Sequence, residues 1–230
     1  LTYSDEDSTK SANNTTFILT GHPGAGPAQP GSRPRRRPAG ASSGSESDAH
    51  VAEGEIDVAA SDRLHSLSHD NWILAHGVFL EDDHDIQGTI IHNPRSNMNN
   101  SVGYAAPKRF KNPVGLGTDG IGADMFDEFR IGYVRLREED ITESPETVWE
   151  MLEVNAKLFP ESQQDVVTWS YPEIDPWHLA FSLGVKPRDI VIAGEEVMKD
   201  GIVMTVDADE VRSKAREAAT RLFKKIDNLP

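Results

Sequence analysis

The stretch Thr89-Ile90-Ile91-His92-Asn93-Pro94-Arg95-Ser96-Asn97-Met98 decides how this chain is read. Three β-favouring residues run into a histidine, and Asn-Pro then ends the strand and opens a polar, Asn-rich loop. The same pattern recurs on both sides. Trp72–Leu80 is mostly apolar, as a strand covered on both faces must be, and contains Leu74-Ala75-His76-Gly77. Pro113–Thr118 is short and β-favouring and leads into Leu116-Gly117-Thr118-Asp119-Gly120, while residues 49–52 read as a strand end within His50-Val51-Ala52-Glu53-Gly54. Helical spacings fall between or after these strands. Ile56–Leu67 places Ile56, Ala59, Ala60, Leu64 and Leu67 near one face; Asp124–Leu136 and Glu146–Phe159 follow, the latter with Val148, Met151, Leu152 and Leu158 near helical spacing. Alternation of strand, loop and helix argues for a parallel α/β architecture.

Beyond this region the pattern changes. Asp189–Ala193 and Glu196–Met198 read as short strands, and Asp200-Gly201 is a hairpin turn into Ile202–Val206. Asp207 with Glu210 resembles a capping box opening a last helix, whose Val211, Ala215, Ala218, Leu222 and Ile226 form an apolar stripe. Upstream, residues 1–19 are polar apart from Phe17-Ile18-Leu19 and read as a weakly ordered remnant. Thr20–Asp48 holds six of the 18 glycines, five of the 14 prolines and the run Arg33-Pro34-Arg35-Arg36-Arg37-Pro38. With almost no large apolar side chain it cannot offset the entropy of ordering, and it reads as a disordered linker. The expected organisation is therefore residues 1–19, the linker 20–48, a partial α/β barrel over 49–165, and a β segment with a C-terminal helix over 166–230.

Composition narrows the chemistry. The 230 residues allow one or two domains. The 38 acidic residues exceed the 23 basic ones, giving a formal charge of −15, so phosphate backbones are repelled and no nucleic-acid partner is expected. Without cysteine there is no disulfide, thiolate zinc site, iron–sulfur cluster or thiol nucleophile. Eight histidines leave imidazole and carboxylate as the metal-ligand chemistry. No run approaches eighteen apolar residues and the opening residues are not a signal peptide, so no membrane partner is expected and a cytoplasmic protein is the default. The chain opens on Leu, which suggests a partial product.

Each of the four strand-end phrases carries a polar or metal-competent side chain where parallel strands end, the face on which barrel enzymes build their active sites. Histidines and a carboxylate arriving there from separate strands would converge, and imidazole with carboxylate suits zinc or iron. Taken singly, each has an ordinary structural reading: a hydrogen-bonded histidine, an Asp-Gly turn, a loop at His-Asn-Pro.

Taken together, His92-Asn-Pro-Arg-Ser-Asn-Met-Asn-Asn100 followed by Ser-Val-Gly-Tyr, and Leu116-Gly-Thr-Asp-Gly-Ile-Gly-Ala-Asp-Met125, resemble the amidohydrolase superfamily. The likeness is to its chlorohydrolase and aminohydrolase branch, which includes guanine- and cytosine-type deaminases, and within it most of all to the aminohydrolase group associated with selenium metabolism. It runs from His50 to near the C-terminus. The resemblance implies the C-terminal half of a (β/α)8 metallo-hydrolase barrel followed by a small β segment and a terminal helix. It implies His50 as the metal ligand after the fifth strand, Glu53 as the proton-shuttling acid/base, and His76 as the ligand after the sixth. It further implies His92 as a substrate-facing polar residue, Asn97 as part of that pocket, and Asp119 as both metal ligand and proton acceptor. The implied cofactor is a divalent metal, zinc before iron. The implied reaction is hydrolysis of a carbon–nitrogen bond in a small cyclic substrate by metal-activated water, in a chain for which homo-oligomerisation is left open. The family's His-x-His pair from the first strand occurs nowhere in these residues, and about four of eight strands are accounted for. An inactive fragment is the alternative expectation.

Overall fold

The computed structural model describes residues 47–57, 59–122, 124–171 and 174–229. The expectations for residues 1–19 and for all but the end of the 20–48 linker lie outside the described residues. The described chain falls into two compact units, one built from residues 47–160 with 174–183, the other from residues 161–171 with 184–229.

The first unit is organised by four parallel strands: β1 (Ser47–Val51), β2 (Trp72–His76), β3 (Thr89–His92) and β4 (Val114–Leu116), in the spatial order of the sequence. Their register pairs Val51 with His76 and His92 with Leu116, so neighbouring strands end level with one another. All four residues of β3 are buried, the signature of a strand covered on both faces. The α/β class and the parallel sheet are as the sequence implies; among the described residues the sheet is not a closed barrel.

Helices α3 (Met125–Glu139) and α4 (Pro145–Leu158) pack beside β4. Asp124 caps α3, its Oδ1 accepting from the amides of Phe126 and Asp127 at 2.9 and 3.1 Å. Leu116, Phe129, Val148 and Leu152 are buried in the same unit. A second cluster gathers Val51, Leu74, Ile90, Leu80, Ile86 and Phe110.

Several boundaries differ from the sequence reading, each for a local reason. Where a helix is expected over Ile56–Leu67 there is a 3-10 turn, Glu55–Asp57, and a short α1 (Ala60–Leu64). Asp57 explains the break: it accepts the Ala52 amide at 2.8 Å and holds Arg63, side-chain bonding that competes with helical continuation. Strand β2 stops at His76 rather than Leu80, because His76 and Gly77 both adopt positive φ, 77° and 64°. The guanidinium of Arg109 then collects the carbonyls of Gly77, Val78 and Leu80, fixing the loop that follows. Within the phrase read as a loop after His92, residues Pro94–Asn99 form helix α2, with Pro94 pre-set for its first turn. Helix α5 (Pro176–Phe181), capped by Asp175, has no counterpart in the sequence reading.

The second unit is an antiparallel sheet of β5 (Val166–Trp169), β6 (Pro187–Ile192), β7 (Glu195–Lys199) and β8 (Ile202–Val203). Asp200 and Gly201, at φ 48° and 77°, make the expected turn. Asp207 caps the 20-residue α6 (Ala208–Asp227), accepting from the amides of Asp209 and Glu210. The predicted stripe is present on α6, but no residue of that helix is buried. No helix among the described residues is long and apolar enough to cross a membrane.

Candidate metal centre

The exits from β1, β2 and β4 share an unusual backbone. Ala52, His76 and Asp119 sit at φ 47°, 77° and 51°. Left-handed backbone at a non-glycine residue costs about 1 kcal/mol or more, so it persists only where surrounding packing over-determines it. Here each such residue stands at or just beyond a strand's C-terminal end, where the chain must turn sharply.

The turns bring four side chains together. His76 is fully buried, and its Nε2 lies 3.1 Å from His50 Nδ1, 3.6 Å from Glu53 Oε2 and 3.7 Å from Asp119 Oδ2. His50 Nδ1 is itself 3.6 Å from Glu53 Oε2. One ligand atom from each of His50, Glu53 and His76 falls within 4.8 Å of the others. Donors held about 2.1 Å from one tetrahedral zinc stand roughly 3.4 Å apart, so this spacing fits a single small cation. The set whose spacing fits one cation is thus His50, Glu53 and His76, while Asp119, the third expected ligand, joins it through its 3.7 Å approach to His76.

A further set of polar contacts surrounds these groups. His76 Nδ1 donates to Asn97 Oδ1 at 2.8 Å, Ser96 Oγ donates to Asp119 Oδ2 at 2.5 Å, and Asn100 Nδ2 donates to Glu53 Oε1 at 3.0 Å. The sequence reading placed Asn97 on the substrate pocket; in the structure it is 1% exposed and its amide oxygen is committed to His76. Ser96 and Asn100 were not singled out, although both lie inside the phrase that carried the family resemblance.

Electrostatics separate the carboxylate from the outlying imidazole. Burial pushes the Asp119 carboxyl up, but bonds from Ser96 and the Gly120 amide, with the facing His76 and His50 rings, outweigh it and hold the group below the usual range. His92 behaves oppositely. Burial, reinforced by His76 and Arg135, pushes its ring down to about 3. It is 1% exposed and packs edge-on to Tyr104, and neither ring nitrogen has a hydrogen-bond partner among the described residues. His92 ends its strand as expected, and its ring is buried.

No family model matches the chain. A curated 5-methylthioadenosine/S-adenosylhomocysteine deaminase of Haloarcula marismortui is 30% identical over 206 residues, 75% of this chain and 47% of that protein. A crystal structure of an adenosine deaminase from Xanthomonas campestris with bound zinc is similar at TM-score 0.64 and 19% identity, over 77% of this chain and 51% of that one. An amidohydrolase from Brucella melitensis matches at TM-score 0.63 and 17% identity, over 76% and 49% of the two chains. Each of these is a deaminase or an amidohydrolase, and this chain is similar to them over 75–77% of its length. The chain spans less than half the length of the curated relatives it matches. Its donor cluster occupies the C-terminal ends of parallel strands, the face on which parallel α/β barrels place their chemistry.

Proposed function

We propose that this chain carries the second half of a metal-dependent aminohydrolase active site, which removes ammonia from a small cyclic nitrogenous substrate by hydrolysis. The observation that carries this reading is the ring of His50 Nδ1, Glu53 Oε2 and Asp119 Oδ2 at 3.1–3.7 Å around His76 Nε2. The donor set of imidazole and carboxylate fits zinc, with iron as the second choice. His50, His76 and Asp119 would hold the cation. When bound there, it supplies the Lewis acidity that makes water nucleophilic near neutral pH.

The protein's own groups then divide the proton work. Asp119, kept ionised, accepts the proton that the attacking water loses. Glu53 reaches the same space and carries a proton to the departing nitrogen, which leaves as ammonia instead of as an amide anion. His92 is neutral at working pH, so its contribution is a hydrogen bond rather than a proton transfer. Water and the amine are consumed, and the hydroxylated ring and ammonia are released.

A second reading, a fold that has lost catalysis, is favoured by one observation: no His-x-His pair exists in the 230 residues. The two readings separate in one experiment on the 230-residue chain. Stoichiometric zinc in the purified protein, lost in His76→Ala, together with ammonia release from adenosine-type, guanine-type or triazine substrates, supports the aminohydrolase. Zinc-free protein that releases no ammonia after zinc is supplied overturns it.

A further inference from the structure

Three of the four clustered side chains are gripped by one short element. Helix α2 and its C-cap supply Ser96 to Asp119, Asn97 to His76 and Asn100 to Glu53. Ser96 and Asn97 are 0% and 1% exposed, and Asn100 Nδ2 also reaches Ser96 Oγ at 3.3 Å, so the gripping residues are tied to each other. The sheet register ends the strands level with one another, and α2 adds side-chain contacts to the groups that arrive from three of those ends.

The helix is anchored in turn. Glu128 of α3 has a fully buried carboxylate whose Oε1 accepts the Arg95 amide at 2.9 Å, while Oε2 accepts Arg95 Nε at 3.0 Å. The far end of the same guanidinium pairs with Asp127 at 2.5 Å. A buried carboxylate is tolerated when its charge is met by this many donors, and removing one partner leaves the other costly.

We propose that α2 is the template of the metal centre: Asn97, Ser96 and Asn100 are positioning residues for His76, Asp119 and Glu53, and the Arg95–Glu128 pair sets the template's place. The inference rests on the metal-centre reading above. Its chemistry is specific. A neutral imidazole carries one proton, and an acceptor at Nδ1 draws it there, leaving the Nε2 lone pair to face the cluster. Partners of this kind behind a histidine ligand typically change metal affinity 10- to 100-fold when mutated.

The test has two independent readouts on the 230-residue chain. Nitrogen–proton correlation spectra of the metal-free protein report which ring nitrogen of His76 bears the proton, and calorimetric titration with zinc reports affinity. The expected result is an Nδ1-protonated His76 in the native chain. In Asn97→Leu that preference disappears and zinc affinity falls by about 10- to 100-fold; in Asn97→Asp, which keeps the acceptor, both are retained. Glu128→Gln weakens zinc binding in the same direction while Asn97 is intact. An Nε2-protonated His76 in the native protein, or Asn97→Leu with unchanged tautomer and affinity, overturns the template. Should Asn97→Leu fail to fold, the native spectrum and Asn97→Asp still decide. If the tautomer pattern holds but the native chain takes up no zinc, the template stands and the metal-centre reading fails.

Discussion

The side chain of Asn155 pairs with the backbone of Leu116 in both directions, its Oδ1 accepting the Leu116 amide at 3.0 Å and its Nδ2 donating to the Leu116 carbonyl at 2.6 Å. An asparagine on helix α4 thus meets the backbone groups of β4 on the side away from β3. The fit also explains Gly115, where an added Cβ would lie 2.3 Å from Asn155 Oδ1. Removing the amide leaves two buried backbone groups unsatisfied, so Asn155→Leu should lower the unfolding free energy by roughly 2–4 kcal/mol in urea melts. A loss below about 0.5 kcal/mol would show that the pair contributes nothing net.

Acid sensitivity should trace to His92. Its folded pKa of about 3 lies below the unfolded value of 6.5, because burial, His76 and Arg135 all oppose the charged ring. The unfolded chain therefore binds the extra proton first. This histidine's contribution is fully present above pH 6.5 and is lost as pH falls from there toward 3, on the order of 5 kcal/mol across the whole window. His92→Phe should flatten the loss of stability between pH 6.5 and 4 relative to the native chain. Parallel pH profiles for the two proteins would assign the acid sensitivity elsewhere.

Arg109 ties down the loop after His76 through the carbonyls of Gly77, Val78, Leu80 and Ala105, and it also pairs with Asp82. Lysine keeps the charge but not the planar fork of five donors. Arg109→Lys should cost about 1–3 kcal/mol and raise amide exchange at residues 77–82 ahead of β3. Exchange that is unchanged there would mean the loop is held by Phe110 and Leu80 packing alone.

Zinc should stabilise the folded chain by mass action. At a hundredfold excess over the dissociation constant the gain is about 2.7 kcal/mol, visible as a concentration-dependent rise in Tm. His76→Ala and Asp119→Ala should each abolish the rise, and a chelator should reverse it in the native protein. A rise that survives in both variants would place the ion elsewhere.

How much of this was legible in the sequence depends on the range of the forces involved. Strands β2, β3 and β4 were readable as apolar, β-favouring runs, but the end of β2 was not, because the positive φ at His76 sets it. The caps at Asp124 and Asp207 were readable because capping is local. Helix α2 was misread as loop: its Asn and Ser residues disfavour helix by themselves, and what holds it is Glu128, 33 positions from Arg95. The short α5 carried a readable Asp-Pro start that the pattern reading passed over. At the site, the family resemblance implied His50, His76 and Asp119, whereas the commitment of Asn97 to His76 is a tertiary contact that no spacing encodes.

The left-handed conformations at Ala52, His76 and Asp119 bear on how far this scaffold can be relaxed. Glycine would relieve the torsion at His76 and Asp119 but would also delete a donor, empty buried space at His76 and strand the Asn97 and Ser96 groups that these side chains satisfy. The twist at these two corners can therefore be relaxed only by giving up the side chain that makes the corner useful.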